Sequence, residues 1–358
     1  MRRRTPIFPS PYGLGDTMLL PLHYCRPSTR GAGQHRLAPL SGGDPGRDGV
    51  LRLVFLGDLM ADHNWQLPDV SPRFGELVQG ADLVVANAEG PVAPGDTPDR
   101  RGPYGRVRFS AAYLGRLLER LGIDPARCLL SVANNHAGDR GRAGLEGTVE
   151  ALGRLGIRTV GVRDAHSPLV RVDLGPLTMG FVAWTELQNR SDPETRGGTC
   201  GPGDIDGHGW IEEARRSGVD CLAALPHWGV EFQHFPRPGV RARAASLASA
   251  GVRIIAGHHP HVVQPLERSE GGLCLYSGGN VVGPAIPLAW PCRLFVALEV
   301  ALTADGTAVG EVAGYRVHPF AQLRERGRTR IVGLGELCGR RAGRFRRRLG
   351  MLFKLDEP

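Results

Sequence analysis

Apolar and polar positions follow two rhythms along this chain. From residue 51 onward, short apolar runs come between stretches with helical spacing. LRLVFLGD (51–58), DLVVANAEG (82–90), CLLSVANNH (128–136) and IRTVGV (157–162) read as buried strands. So do LTMGFVAW (177–184), VDCLAALPHWG (219–229) and VRIIAGHH (252–259). SAAYLGRLLERLG (110–122) has the helical period, with Ser110 as N-cap and Gly122 at its end. GLEGTVEALGRLG (144–156) and VRARAASLASAG (240–251) are further helices. GLCLYSGGN (272–280), CRLFVALEVAL (292–302) and AVGEVAGYRVH (308–318) finish the pattern as β, alternating as antiparallel pairs do. Strands alternating with helices predict α/β layers with both sheet faces covered. No repeat of solenoid period is present.

Composition narrows the class. The 358 residues are 41% hydrophobic and 22% charged, ordinary for a globular chain with a sizeable core. No stretch of 18 apolar residues occurs, so no transmembrane segment is expected. The net charge of +8 sits in the ends: residues 1–49 carry +4 and 321–358 carry +7, which leaves the stretch between them at −3. A slightly acidic body without aromatic-plus-basic stacking motifs excludes nucleic acid as the expected partner. Three regions are expected: a Pro/Gly/Arg-rich extension over 1–49, a catalytic body over 50–320 and a basic tail over 321–358. The run Arg344, Arg346, Arg347, Arg348 reads as a solvated basic helix end, or as a contact for phosphate, an acidic partner or a membrane surface. Seven scattered cysteines without a CxxC suit buried thiols in a reducing compartment. Pro9, Pro11, Gly13 and Asp16 break the N-terminal apolar run, which makes a poor secretion signal. The expected location is cytoplasmic.

Chemistry collects where strands end. Five strand-like runs close in polar clusters: Gly57-Asp58, Asn87 to Glu89, Asn134 to His136, His227-Trp228, and His258 to His261. In a layered α/β sheet such ends meet along one edge, where ligands bind. A shared edge would bring together Asp58, Glu89, Asn135, His227, His259 and His261. Carboxylate, amide oxygen and imidazole suit a divalent cation such as Mn²⁺, Zn²⁺ or Fe²⁺. Each member alone has a plainer reading. Asp58 after a glycine is a common turn residue, Asn134 and Asn135 could cap the next helix, and His227-Trp228 could be a packed core pair. The repetition at five equivalent positions is what argues for a site.

GDLM (57–60), NAEGPV (87–92), ANNHAGDRG (133–141), HWGVEF (227–232), GHHPHVVQP (257–265) and YSGGNVV (276–282) resemble, in this order, the motifs of the CapA family. That family is associated with poly-γ-glutamate capsule synthesis and is related to the calcineurin-like metallophosphoesterases. The resemblance covers roughly 51–320. It implies a four-layer α/β/β/α sandwich with two divalent metal ions at the sheet edge. By this resemblance Asp58 ligates one metal, Glu89 bridges, Asn135 and His227 ligate the second, and His259 and His261 divide between them. His136 falls where the phosphoesterases keep a general acid. One position departs: the histidine expected two residues after Asp58 is Met60, a poor partner for a hard metal. His63 or water is the available substitute.

The chain also resembles soluble family members from ribosomal-peptide pathways, among them a lasso-pathway peptide epimerase. The expected reaction on that basis is inversion of the α-carbon at the C-terminal residue of a peptide with a free C-terminus. An acidic leader segment would dock on the Arg-rich ends. Lys354, the only lysine, lies in the basic tail and makes a poor Schiff-base residue, and no dinucleotide fingerprint or Walker A loop is present. Inversion needs proton-transfer groups on both faces of the carbon. His136 is the first, with His258, Asp139 and Glu231 as candidates for the second. Trp228, Tyr276 and Asn134 are expected to shape the pocket. The alternatives are a hydrolase or amide-forming enzyme of γ-glutamyl or phosphoester chemistry, and a non-catalytic metal-bearing accessory protein.

Overall fold

The computed structural model describes residues 12, 14–25, 31–61, 66–93, 109–163, 167–189, 198–269, 271–283, 290–325 and 327–355. His63, the substitute ligand considered for Met60, lies outside them. Two sheets face each other. The first runs in the order β3 (Asp69–Val70), β18 (Arg328–Gly333), β17 (Val312–Glu325), β16 (Leu294–Thr303), β2 (Val50–Leu59), β4 (Leu83–Ala88), β7 (Cys128–Ser131), β8 (Arg158–Val160). In it β1 (Ser41–Gly43) pairs with β17, and β15 (Asn280–Val282) with β2. The second runs β13 (Leu266–Ser269), β14 (Gly272–Leu275), β12 (Ile254–Ala256), β11 (Cys221–His227), β10 (Thr178–Thr185), β9 (Val170–Asp173). A short parallel pair joins β5 (Val92–Ala93) to β6 (Phe109–Ser110).

Strand parity sorts the side chains into layers. Leu53, Phe55, Leu83, Val85 and Leu129 of the first sheet meet Phe181, Ala183, Ala223, Leu225, Ile254 and Ala256 of the second in one apolar core. The opposite parity of the first sheet, with Val54, Val84, Ala86 and Leu130, packs under α2 (Pro72–Gln79), α3 (Ala111–Leu121) and α4 (Gly141–Arg154). Behind the second sheet, Val182, Leu222, Ala224 and Ile255 pack under α5 (Pro202–Asp206), α6 (Gly209–Arg216) and α7 (Pro238–Ala250). This is the four-layer α/β/β/α sandwich. Helix α3 is bounded as its sequence predicts: Ser110 Oγ accepts the Tyr113 N–H, and Gly122 ends it in the left-handed conformation.

Described segments near both ends belong to the fold. The boundary expected after residue 320 falls inside β17, and β18 follows it in the same sheet. Helix α8 (Gly339–Leu352) buries Ala342, Phe345, Arg348, Leu349 and Leu352. This i, i+3, i+4, i+7 stripe lies against the inter-sheet core, while Arg346 and Arg347 stay exposed. Arg348 therefore departs from the solvated basic face expected for it. At the other end α1 (Leu14–Cys25) leaves Met18, Leu19 and Leu22 exposed. Further on, Ala38 N donates to Leu266 O, Lys354 N donates to Ala38 O, and β1 extends the first sheet. Part of the expected loose extension is thus tied down by main-chain hydrogen bonds. Among the described residues no helix is long and apolar enough to cross a membrane. Cys128, Cys200, Cys221, Cys274 and Cys292 are free and buried, and Cys338 is free and exposed.

Candidate metal centre

Parallel strands β2, β4 and β7 in one sheet and β10, β11 and β12 in the other end on the same side of the sandwich. The parity that puts Leu83 and Val85 into the inter-sheet core also sends Asn87 and Glu89 toward it. The same holds for Asn135 after Leu129, and for His227 after Ala223 and Leu225. Asp58 follows a register irregularity between Phe55 and Asp58, which re-aims the end of β2. Just before it, Gly57 passes so close to the 278–279 turn that a Cβ would lie 1.8 Å from the Gly279 carbonyl oxygen. That approach lets Asp58 N donate to the same oxygen.

All six expected ligands come together. Asp58, Glu89 and His259 are fully buried, and Asn135, His227 and His261 nearly so. Asp58, Glu89 and His261 each offer a donor atom within 4.8 Å of the others. His261 places Nδ1 3.4 Å from Asp58 Oδ2 and Nε2 3.6 Å from Glu89 Oε1. On the other side of Glu89, His227 Nε2 is 4.0 Å from Oε1 and 2.9 Å from Asn135 Oδ1. The His259 ring centroid lies 4.7 Å from that of His227. Glu89 thus stands between an Asp58–His261 corner and an Asn135–His227 corner.

Electrostatics fit a cation. Both Glu89 oxygens are buried with no hydrogen-bond partner. Burial, reinforced by the Asp58 charge, outweighs the pull of His261 and pushes the Glu89 carboxyl up to about 8. Burial also favours the neutral form of Asp58, but hydrogen bonds from His261 and Asn87 and the charge of His258 hold it below its ordinary value. Burial and neighbouring imidazoles keep His227 and His259 neutral, the form in which imidazole ligates. His261 also loses by burial, yet Glu89 and Asp58 raise it to about 10. The orphaned Glu89 oxygens beside the neutral imidazoles of His227 and His259 are a donor set that a divalent cation satisfies, and its binding would displace the proton of His261.

The backbone is strained here. Only four described non-glycine residues have positive φ: His208, Phe232, His259 (φ 96°) and His261 (φ 57°). Two are expected ligands, and Phe232 packs its ring 5.8 Å from His261. Left-handed backbone at non-glycine residues costs about 1–3 kcal/mol each and concentrates at functional sites.

The other expected residues divide. His136 Nδ1 lies 2.9 Å from Asp139 Oδ2, so Asp139 orients His136 and is not a separate group on the opposite face. Burial lowers His136, but that hydrogen bond and the charges of Glu89 and Asp139 leave it raised overall. His258 lies 3.2 Å from the Leu56 carbonyl through Nε2, a buried tie between the sheets. Glu231 is partly exposed, and its charge acts on Glu89, His136 and His261. Asn134 spends its amide inside the scaffold, donating to Asn87 Oδ1 and Ala88 O and accepting from His136 N. Trp228 and Tyr276 lie in the outer apolar layer, with Trp228 Nε1 donating to Tyr276 O at 3.0 Å. Parity explains Trp228: the residue after an inward His227 points outward.

Three residues escaped the sequence reading. Asn87 Nδ2 donates to Asp58 Oδ1 at 2.8 Å, and Asn280 Oδ1 lies 2.9 Å from His261 Nδ1. Both stand inside quoted motifs, so proximity to a ligand in sequence was the available signal. The third, Tyr12, hydrogen-bonds His259 Nε2 from 247 residues away, and nothing in its local sequence announces it.

Fold and site define a sandwich protein with a buried carboxylate–amide–imidazole centre at the sheet edge. The chain belongs to the family of bacterial capsule synthesis protein PGA_cap, whose model matches residues 52–285. It is 28% identical over 198 residues to the PGA biosynthesis protein CapA of Bacillus subtilis, covering 53% of this chain and 51% of that protein. Against the capsule biosynthesis protein CapA of Bacillus anthracis it is 24% identical over 250 residues, covering 65% and 59%. A probable polyglutamine synthesis accessory protein of Mycobacterium tuberculosis is 30% identical over 173 residues, 42% of this chain and 44% of that one. The chain therefore spans about half the length of the relatives it matches. Among solved structures, a hypothetical protein from Thermus thermophilus aligns over 76% of this chain and 99% of its own, at 18% identity and a TM-score of 0.45. A phosphatase from Mycoplasma pneumoniae aligns over 76% and 94%, at 11% identity and a TM-score of 0.44.

Proposed function

We propose that this chain is a metal-dependent hydrolase of glutamyl chains, acting on an amide bond beside a carboxylate. The observation that carries the reading is Glu89, a buried carboxylate with both oxygens unpartnered between two ligand corners. Asp58, His261 and Glu89 would hold one divalent cation; Glu89, Asn135, His227 and His259 would hold the other. Such cations, Mn²⁺, Zn²⁺ or Fe²⁺ by donor type, supply Lewis acidity and neutralise charge developing on a carbonyl or phosphoryl oxygen. The resemblance to the capsule family, with relatives named for PGA biosynthesis and polyglutamine synthesis, supports a glutamyl polymer as the substrate. His136, held through Nδ1 by Asp139, would give a proton to the leaving nitrogen. A positioned acid of this kind is worth roughly 10²–10⁴ in rate.

The second reading is inversion at the α-carbon of a peptide's C-terminal residue. It is favoured by one observation: Glu231 acts on the centre from the segment after β11, whereas His136 comes from the segment after β7. Those two would be the opposed proton-transfer groups, since Asp139 is taken up by His136 and His258 by Leu56. An acidic leader on the Arg-rich ends belongs to this reading, and its binding would weaken with salt.

One experiment separates them. The chain, loaded with each of the three metals in turn, is incubated in D₂O with poly-γ-glutamate, with a peptide bearing a free C-terminus and with a phosphate monoester. Products are followed by mass spectrometry. Shortening of poly-γ-glutamate without deuterium at the α-carbon is the expected result. Deuterium gained at the peptide's last residue without cleavage would replace it with the second reading. Inertness with every metal would sink both and leave an accessory role.

A further inference from the structure

We infer that Tyr12 is a positioning residue that fixes which nitrogen of His259 faces the metal centre. This rests on the reading of the centre as a cation site. The two nitrogens of the His259 ring have opposite surroundings. Nε2 is hydrogen-bonded to the Tyr12 phenol, whereas Nδ1 is buried with no partner. The phenol oxygen also accepts the backbone N–H of Glu231 at 3.2 Å. With the proton on Nε2, the phenol oxygen accepts from both nitrogens, and the lone pair of Nδ1 is left for the cation.

Two neighbouring ligands are each oriented by a polar side chain. The Nδ1 of His261 faces Asn280 Oδ1 at 2.9 Å, which leaves Nε2 toward Glu89. At Asp58 the side chain in that role is Asn87, whose Nδ2 donates to Oδ1 at 2.8 Å. A ligating imidazole takes its tautomer from the hydrogen bond made by its other nitrogen, and losing that bond costs about 10–100-fold in metal affinity. His259 has particular need of a clamp, because its backbone is at φ 96° ahead of Pro260.

The difference lies in where the clamp originates. Asn87 and Asn280 are inside the region matched by the family model, residues 52–285, and Tyr12 is outside it. Tyr12 is carried by the segment leading into α1, which is itself fastened by Asp16 to Arg237, with Arg237 Nη1 3.0 Å from Oδ2. Affinity at the centre is thereby coupled to docking of the N-terminal segment.

The test uses the full chain and Zn²⁺ as probe. Affinity is measured by competition with a chromophoric chelator for the wild type and Tyr12→Phe. Histidine-labelled ¹⁵N spectra of both, metal-free and Zn²⁺-loaded, report the tautomer and ligating nitrogen of His259, assigned with His259→Gln. The expected result is about 10–100-fold weaker binding in Tyr12→Phe. The His259 signals should pass from a single Nε2–H tautomer to a mixture, with the melting midpoint of the metal-free protein unchanged. Equal or tighter Zn²⁺ binding by Tyr12→Phe overturns the inference, as does ligation of wild-type His259 through Nε2. Failure of the wild type to bind Zn²⁺ would overturn the metal centre itself, a different outcome from indifference to Tyr12.

Discussion

The two sheets contribute unlike halves of the centre. Asp58, Glu89 and Asn135, every oxygen donor in the set, lie at or just beyond strand ends of the first sheet; His227, His259 and His261, every imidazole, lie at or just beyond strand ends of the second. In the oxygen half Asp58 and Asn135 are hydrogen-bonded, and Glu89 alone is orphaned. The nitrogen half is neutral at two of three positions and strained at two of three. Neither half is a ligand set alone, so the centre exists only where the inter-sheet core holds the halves together. A bound cation would in turn clamp sheet to sheet, because ligands that converge only in the folded state make metal affinity part of folding stability.

The sharpest way to break the comparison is to remove one member from each half. Asp58→Ala and His261→Ala should each lose most bound metal, measured by elemental analysis after dialysis, while His136→Ala keeps it and loses activity by roughly 10²–10⁴. Each metal-binding chain should also gain thermal stability from added cation, about 2.7 kcal/mol at a hundredfold excess over Kd. Retention of metal by all three variants would break the assignment of donors to sheets.

Glu89→Gln should move stability and binding in opposite directions. Metal-free, Glu89 is a buried carboxylate whose ionised form is disfavoured, while Asp58 stays beside His261 to balance it. A carboxyl raised to about 8 must take up a proton on folding at pH 7, so substitution should stabilise the metal-free chain by up to about 3 kcal/mol. The same change should abolish stabilisation by metal. Denaturant titration with and without Zn²⁺ reads both effects, and a destabilised metal-free variant would show that Glu89 is already well paired.

The division between halves also marks what the sequence could tell. Parity along DLVVANAEG and VDCLAALPHWG carries Glu89 and His227 into the seam, because alternation is a local rule that outlasts the strand by a residue or two. The same rule explains why Trp228 is a core aromatic and not a pocket wall. The clamps are non-local: Asn280 reaches His261 through β15 pairing beside Asp58, and Tyr12 arrives from beyond the layered body. No period records such contacts. The C-terminal segment misled for another reason. Counting arginines gave a basic tail, but the stripe Phe345, Arg348, Leu349, Leu352 has helical spacing that turns one arginine inward.

That inward arginine provides a smaller test, remote from both halves. Arg348 is buried, its Nε and Nη2 lack partners, and its guanidinium lies 5.5 Å from the Phe235 ring centroid. Burial pulls it down to about 9. An unpaired buried cation opposes folding, so Arg348→Met, similar in length and apolar, should raise the melting midpoint, with about 1–2 kcal/mol gained. Metal content should not change. A lower midpoint would mean that the cation–π contact outweighs desolvation.

The smallest effect belongs to the far side of the first sheet, where Glu299 of β16 meets His318 of β17 at 2.8 Å. The hydrogen bond from His318, helped by its charge, outweighs partial burial and holds the Glu299 carboxyl below its ordinary 4.5. A carboxyl lowered in the folded state stabilises the fold above its unfolded value, and that share disappears as pH falls through the folded one. Stability should therefore decline below about pH 4.5 in the wild type. Glu299→Gln should flatten this decline slightly, by a few tenths of a kcal/mol, because the pair is only partly buried and solvent screens it. Denaturant midpoints at pH 3 and pH 6 for both chains measure the difference. Equal slopes would mean that the pair is too well solvated to contribute, whereas a change of several kcal/mol would contradict the contrast between a solvent-screened pair on this face and the buried, unpartnered Glu89 at the sheet edge.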